Sequence, residues 1–208
     1  MNDAQRAAFP AAFSEALTFA SDLHATQTRK GTDIPYISHL MGVSSLVLEH
    51  GGNADEAIAA LLHDAVEDQG HGYAGGVEGL RAEIEARFGA AVREIVDGCT
   101  DSDTDPEQKP PWRMRKETYL RHLESATESV RLVSCADKLH NARAIVSDLR
   151  VMGDALFDRF NGAKEGTLWY YRTLADVFLR LGPADLGREL DVSINEMALL
   201  ARQTHQPS

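Results

Sequence analysis

Cysteine and positive charge are both scarce in this 208-residue chain. Cys99 and Cys135 are the only cysteines, and they stand far apart in no paired motif. A disulfide framework or a thiolate zinc site is therefore not expected, and a reducing cytoplasm fits best. The formal net charge of −11 argues against a broad DNA or RNA surface, which needs clustered basic residues. It leaves room for a small phosphorylated ligand held by a few local cations.

Long apolar runs are absent as well. No run approaches the ~18–20 residues that a membrane-spanning helix needs. The first residues also lack a basic segment followed by an apolar stretch, so we expect neither a membrane partner nor a secretory signal. The 43% of hydrophobic residues is enough for a sizeable core.

Helical periodicity dominates the chain, and alternating strand patterns are rare. The sequence therefore predicts an all-α protein, with one domain over residues 1–208, a core of about 10–182 and the C-terminal helices packed on it. A polar loop at 100–112 is long enough to be functional or mobile. Helices are predicted at 10–28, 39–50, from an Asn53 cap to near Gly70, and at 77–88, 90–99, 113–124, 127–148, 153–181 and 183–203.

The strongest chemical feature is His63-Asp64, which stands inside the apolar run AALLHDAVED. Glu67 is four residues from His63, and Asp68 is four residues from Asp64, so one helix face is predicted to present an imidazole and three carboxylates. Three carboxylates crowded beside an imidazole repel one another, which predicts a bound cation. A solvated acidic face with a core histidine is the alternative, and candidate ligands elsewhere in the chain favour the metal.

Two further residues extend this set. His39 follows a Pro-Tyr-Ile segment at a junction between loop and helix, and Asp137 lies in a mostly apolar helical segment. Alone, His39 would more often be structural, and Asp137 could pair with a neighbouring cation. With His63 and Asp64 they make two imidazoles and two carboxylates, a mixed set that suits manganese, iron or zinc better than magnesium or calcium.

The order of a histidine, a His-Asp pair and a distant aspartate resembles the signature of the HD phosphohydrolase superfamily. More narrowly, the chain resembles the hydrolase domain of the RelA/SpoT family and the small alarmone hydrolases. The resemblance covers roughly residues 16–182. It is carried by His24, Arg29-Lys30, Pro35-Tyr36-Ile37 with His39, Ala60 to Asp68, Ala136 to Arg143 and, more weakly, Thr167-Leu168 with Tyr170.

This resemblance implies an all-α HD-domain bundle around a single metal site. It implies one divalent ion, normally Mn²⁺, on the two histidines and two aspartates just described. Glu67 and Asp68 match the acidic pair that orients or activates water. The implied contacts with substrate phosphates and nucleotide are Arg29, Lys30, Lys138 and Asn141.

Two more substrate contacts are suggested by the residues themselves. Arg115 belongs to a group of cations in or after the 100–112 loop, with Lys109, Arg113 and Lys116, and ordinary surface charge is the alternative for that group. Tyr170 could stack on a nucleotide base or be a core aromatic.

The reaction that the resemblance implies is hydrolysis of the 3′-pyrophosphate of a guanosine or adenosine alarmone, (p)ppGpp or (p)ppApp, as in the stringent response. Another nucleotide, such as a nucleoside monophosphate or NADPH, is an alternative substrate. A catalytically silent nucleotide sensor is disfavoured by the intact Glu67 and Asp68. The oligomeric state is open, with a homodimer as one candidate.

The chain departs from the family pattern in its substrate-contacting region. Leu40 follows His39 where relatives commonly have proline, and Ala144 stands where threonine is frequent. The spacing from Arg29-Lys30 to His39 is one residue longer than in the long bifunctional enzymes. No synthetase domain is expected after the hydrolase-like part.

Overall fold

The computed structural model describes residues 3–102 and 108–203, with side chains for residues 9–102 and 108–202. Residues 103–107 of the predicted polar loop lie outside the described residues. The all-α prediction is confirmed, and the only strand-like pairing in the described part is an isolated antiparallel bridge between Thr28 and Pro35. No described helix is long and apolar enough to cross a membrane. The helices are α1 Asp3–Leu23, α2 Ile37–Glu49, α3 Ala54–Leu62, α4 Ala65–Gln69, α5 Gly76–Phe88, α6 Ala90–Cys99, α7 Trp112–Ser125, α8 Glu128–Met152, α9 Ala163–Leu181 and α10 Ala184–Gln203.

The N-terminus of α3 follows local rules. The Asn53 side chain accepts hydrogen bonds from the backbone of Asp55 and Glu56, and the Glu56 carboxylate accepts one from the Asn53 backbone. This capping box satisfies backbone donors that have no partner within the helix, which fixes where α3 begins.

The predicted first helix, at 10–28, is wrong at both ends, because α1 begins at Asp3 and ends at Leu23. Beyond its C-terminus the chain forms a loop that the Thr28–Pro35 bridge closes. The Gln27 carbonyl accepts from the backbone N–H of Tyr36 at 3.0 Å. At Gln27 and Thr28, pairing across the loop therefore replaces the predicted end of the helix.

The single helix predicted through His63 is also wrong. α3 ends at Leu62 and α4 begins at Ala65, with His63 and Asp64 in the turn between them. The His63 ring donates to the Ala60 carbonyl through Nδ1 at 2.8 Å. A side chain therefore satisfies one of the last backbone carbonyls of α3. The Asp68 N–H still donates to the Asp64 carbonyl at 2.9 Å, so one turn of helical spacing survives.

The long helix predicted at 153–181 is interrupted. A 3₁₀ segment covers Gly153–Arg159, and α9 begins only at Ala163. The Trp112 ring lies so close to the backbone at Gly162 that an added Cβ would come within 2.6 Å of it. Glycine is needed for such a close approach.

The structure forms two compact units, and α8 contributes residues to both. The first unit is Met1–Lys109 with Leu132–Ser134, and the second is Pro110–Arg131 with Cys135–Ser208. In the first, α3 packs on α1, α2 and α6, and its residues 57–62 are almost fully buried. In the second, α9 packs on α7 and α10. The single-domain assignment stays a prediction.

Candidate metal centre

In the first unit, two histidines and an aspartate converge. His39 on α2 and His63 at the α3–α4 turn are buried, and their ring nitrogens lie within 4.8 Å of each other. Asp64 Oδ2 is 3.0 Å from His63 Nε2 and 3.6 Å from His39 Nε2. The structure therefore brings three of the four sequence-predicted metal ligands together around one carboxylate oxygen.

The hydrogen bond of His63 sets which ring nitrogen donates to the backbone. A backbone carbonyl can only accept, so Nδ1 carries a proton toward Ala60, and Nε2 is the nitrogen that faces Asp64. Metal-binding histidines have this arrangement, in which one ring nitrogen donates to the protein and the other faces the ion. The donors of the first unit, two imidazoles and a carboxylate, thus fit a divalent metal ion.

Tyr36 is a functional candidate that helical periodicity could not find. Its hydroxyl donates to Asp64 Oδ2 at 2.6 Å across 28 residues of sequence. Its ring stacks on His24, with centroids 5.2 Å apart, and meets the edge of His39 at 5.4 Å. The one signal in the sequence was its place in the Pro-Tyr-Ile segment before His39.

The two acids after the turn have different environments. Glu67 Oε1 accepts from Lys109 Nζ at 3.3 Å, and its Oε2 accepts from the Asp101 N–H at 3.3 Å. The two described parts of the predicted 100–112 loop, 100–102 and 108–112, therefore each have one residue in contact with Glu67. Lys109, one of the phosphate-binding candidates, binds this carboxylate. Asp68 Oδ2 instead accepts from Gln27 Nε2 at 2.7 Å.

Asp68 has a strongly shifted acidity. One side of the residue is open to solvent, but burial of the carboxylate and then the negative charge of Asp64 raise its pKa to about 6. The hydrogen bond from Gln27 opposes this rise. A carboxyl whose pKa lies close to neutral is suited to exchange protons with water.

The predicted phosphate cations lie in the loop between α1 and α2. The Arg29 N–H donates to the Ile34 carbonyl at 2.8 Å, and its guanidinium lies 6.0 Å from the centre of the Tyr36 ring. Lys30 follows at the loop tip, where it is exposed. Backbone pairing thus holds Arg29 beside Tyr36, the residue that contacts Asp64.

In the second unit, Asp137 is buried on α8 and held by its own helix. It accepts from Lys138 Nζ and from Asn141 Nδ2, each at 2.5 Å. Burial opposes the charge on Lys138, but Asp137 and the nearby Tyr170 and Tyr119 raise the pKa of Lys138 well above its usual range. The predicted substrate contacts Lys138 and Asn141 thus bind the predicted ligand Asp137.

The remaining candidates also lie in the second unit. Tyr170 is 5% exposed, and its ring lies 6.1 Å from that of Trp112 with an edge-on geometry. Lys116 Nζ is 5.1 Å from the centre of the Tyr170 ring, and Arg115 is half-buried on α7. Tyr170 is therefore part of a packed aromatic cluster, and its contact with a nucleotide base stays a prediction, as does that of Arg115 with phosphate.

A family model described as an HD domain matches residues 16–163. The chain therefore belongs to the HD-domain family, which confirms the resemblance expected from the motifs. The guanosine-3′,5′-bis(diphosphate) 3′-pyrophosphohydrolase MESH1 of Xenopus tropicalis is 39% identical over 132 residues, which are 62% of this chain and 66% of that protein. A guanosine-3′,5′-bis(diphosphate) 3′-pyrophosphohydrolase of Haemophilus influenzae is 30% identical over 185 residues, which are 86% of this chain and 24% of that protein. The chain thus spans just under two thirds of the first relative and about a quarter of the second.

Solved structures agree on the fold. One, titled as a metazoan ortholog of SpoT that hydrolyzes ppGpp and plays a role in starvation responses, superposes with a TM-score of 0.70 at 27% identity and covers 91% of this chain and 97% of its own. A crystal structure of a Listeria monocytogenes protein gives a TM-score of 0.62 at 22% identity, over 79% of this chain and 99% of its own. The second likeness supports the HD-type fold alone.

Proposed function

We propose that this protein is a metal-dependent hydrolase that removes the 3′-pyrophosphate from a guanosine or adenosine alarmone. The observation that carries the proposal is the buried pair His39 and His63 facing Asp64. One turn further on lies Asp68, a carboxyl whose pKa is raised by burial and by the charge of Asp64. The activity named for the MESH1 and SpoT-type relatives supports the same reaction.

His39, His63, Asp64 and Asp137 are the proposed ligands of one divalent ion, with Mn²⁺ as the favoured metal. Asp137 is included because its place in the sequence matches the distant aspartate of the family. When bound, the ion polarises a phosphoryl oxygen and makes water more acidic. The mixed nitrogen and oxygen donors support manganese, iron or zinc over calcium.

Asp68 is the proposed base for the attacking water. Both carboxylate oxygens of Glu67 are engaged, by Lys109 and by the Asp101 backbone, whereas Asp68 receives one hydrogen bond from Gln27. Asp68 accepts a water proton as the water oxygen bonds to the phosphorus. The bond between that phosphorus and the ribose 3′ oxygen breaks. The 3′ oxygen takes up a proton from solvent, and Asp68 returns the proton that it accepted to solvent. Glu67 orients the water beside it.

Cationic side chains would hold the substrate in this acidic protein. Arg29 is the better candidate for a bidentate phosphate contact, because its planar fork matches two oxygens, and Lys30 adds a point charge. Lys138, Asn141, Arg115 and Tyr170 are the proposed further contacts with the nucleotide. The proposed partner is therefore a small nucleotide and not a nucleic acid. Cys99 and Cys135 form no disulfide, which fits a cytoplasmic protein.

Product analysis with Mn²⁺ tests the proposal. We expect ppGpp or ppApp to yield the nucleoside 5′-diphosphate and pyrophosphate in equal amounts. Arg29→Ala should raise the KM for these substrates by roughly 10-fold or more, the scale of a lost charge-assisted hydrogen bond, and Arg29→Lys should recover part of the loss. Release of inorganic phosphate from a nucleoside monophosphate or NADPH, with no pyrophosphate from either alarmone, would overturn the proposal.

A further inference from the structure

The loop between α1 and α2 is a small hairpin. The Thr28–Pro35 bridge closes residues 24–36, which we call the 24–36 hairpin. Gln27 and Tyr36 face each other at its base, where the Tyr36 N–H donates to the Gln27 carbonyl at 3.0 Å. Arg29 lies between them in sequence and is paired with Ile34. The backbone thus fixes the base residues and the cation of the hairpin in one unit.

Each base residue of this hairpin holds a different aspartate of the proposed site. Gln27 Nε2 donates to Asp68 Oδ2 at 2.7 Å. The Tyr36 hydroxyl donates to Asp64 Oδ2 at 2.6 Å. Asp64 and Asp68 stand one turn apart on the chain. Two residues that pair across the base of the hairpin therefore hold two carboxylates that are also close to each other in sequence.

The orientation of the Gln27 amide is set by its neighbours. Its Oε1 accepts from Gln69 Nε2 at 2.6 Å and lies 2.6 Å from His24 Nδ1, which must donate to it. The Nε2 end therefore faces Asp68, because a flipped amide would set two acceptors against each other there. His24 also stacks on Tyr36, so one buried imidazole contacts both base residues.

We infer that Gln27 and Tyr36 are positioning residues, with Gln27 aiming the base Asp68 and Tyr36 aiming the metal ligand Asp64. This inference rests on the proposed function. Because both belong to the hairpin that carries Arg29, the same backbone places the phosphate-binding cation in register with the two acids. Residues that hold a ligand or a base in this way typically contribute about 10–100-fold to metal affinity or activity.

The two residues should therefore fail in different ways. Gln27→Met keeps the side-chain length but removes the donor to Asp68, so we expect kcat to fall roughly 10–100-fold with KM and metal affinity unchanged. Tyr36→Phe removes only the hydroxyl on Asp64, so we expect Mn²⁺ affinity to fall by roughly 10–100-fold. Excess metal should then restore much of the Tyr36→Phe activity but none of the Gln27→Met activity.

Two matched variants separate positioning from packing. Gln69→Met removes one donor to Gln27 but leaves the Gln27–Asp68 bond, so its kcat should fall less than that of Gln27→Met. Gln27→Glu keeps the acceptor for His24 and Gln69 but places a carboxylate against Asp68, so its kcat should fall at least as far as that of Gln27→Met. Thermal unfolding of each variant checks that the fold is retained.

The measurements are steady-state kinetics on the alarmone and titration of each protein with Mn²⁺ alone. A Gln27→Met protein with wild-type kcat, or one that loses metal affinity and kcat together, would overturn the role of Gln27. A Tyr36→Phe protein that binds Mn²⁺ as tightly as wild type would overturn that of Tyr36. If the wild-type protein releases no pyrophosphate, the proposed function fails with the role of Gln27, and the metal titration still decides Tyr36.

Discussion

The carboxylates of the two units are held in opposite ways. In the first unit, Asp64 and Asp68 bind side chains that lie 28 and 41 residues away in sequence. In the second unit, Asp137 binds Lys138 and Asn141, which lie one and four residues away. Any α-helix with these three residues can make the bonds of Asp137. The bonds of Asp64 and Asp68 exist only when the 24–36 hairpin has folded against the α3–α4 turn and α4.

The difference teaches where each carboxylate is vulnerable. The placement of Asp137 depends on the helicity of α8 and on the charge of one lysine. The placement of Asp64 and Asp68 depends on the conformation of a loop, and loops open at lower free energy than packed helices do. Four experiments test this comparison, beginning with the largest expected effect.

Loss of the Asp64 carboxylate should have the largest effect. Asp64→Ala removes the group that faces both His39 and His63, so we expect metal content to fall from about one ion per chain to near zero and hydrolysis to fall to background. Elemental analysis and kinetics measure both. Asp185→Ala, which removes an exposed carboxylate on α10, is the control and should keep both. Equal metal in wild type and Asp64→Ala would contradict the assignment.

Removing the acids without removing ligands should separate metal binding from chemistry. In a protein with both Glu67→Gln and Asp68→Asn, we expect metal to be retained and turnover to fall by roughly 10²–10⁴-fold, the usual scale for a general base. Of the two single variants, Asp68→Asn should lose more turnover than Glu67→Gln, because both Glu67 oxygens already accept hydrogen bonds from Lys109 and the Asp101 backbone. A double variant as fast as wild type would show that another group activates the water.

Lys138→Met tests the helix-held carboxylate. The substitution leaves buried Asp137 without its cation. In protein whose metal has been removed with a chelator, we expect the free energy of unfolding to fall by about 3–5 kcal/mol. If Asp137 is a ligand, a bound ion replaces that positive charge, so the loss should shrink when Mn²⁺ is present. Denaturant unfolding with chelator and with Mn²⁺ measures the two losses. Losses of equal size would argue against Asp137 as a ligand.

The titration of Asp68 should give the smallest effect. Its pKa of about 6 exceeds its ordinary 3.8, so between these values the folded protein binds the proton more tightly than the unfolded chain does. This group therefore lowers stability as pH rises from about 4 to about 6, and Asp68→Asn should abolish that component. The side chain is partly exposed, so the change should be modest. Unfolding of metal-free wild type and Asp68→Asn between about pH 4 and pH 6 measures this change in stability. A difference in unfolding free energy between the two proteins that does not change with pH would contradict the prediction.

The sequence predicted well what depends on near neighbours. The Asn53 capping box and the bounds of α6 follow from residues that touch within one turn. The family motifs also located His39, His63 and Asp64. The close packing of Gly162 against the Trp112 ring could not be predicted, because Trp112 lies about fifty residues earlier in sequence.

The contacts of Gln27 were missed for the same physical reason. A glutamine in a polar loop carries no periodic signal, and its bond to Asp68 joins residues 41 positions apart. Tyr36 stood in a recognised motif, but only the structure shows its hydroxyl on Asp64. In the structure, the His63 ring bonds the Ala60 carbonyl and the helix breaks there. Helical spacing alone had therefore placed His63, Asp64, Glu67 and Asp68 on a helix face that is not continuous.

The 24–36 hairpin also bears on how such chains vary in length. Its base is closed by the Thr28–Pro35 bridge, so a residue added or removed between them changes the size of the tip and leaves Gln27 and Tyr36 in place. The extra residue between Arg29-Lys30 and His39 in this chain can be accommodated there. When related sequences are aligned, a gap therefore belongs inside the tip, and Gln27 and Tyr36 are the positions to hold fixed on either side of it.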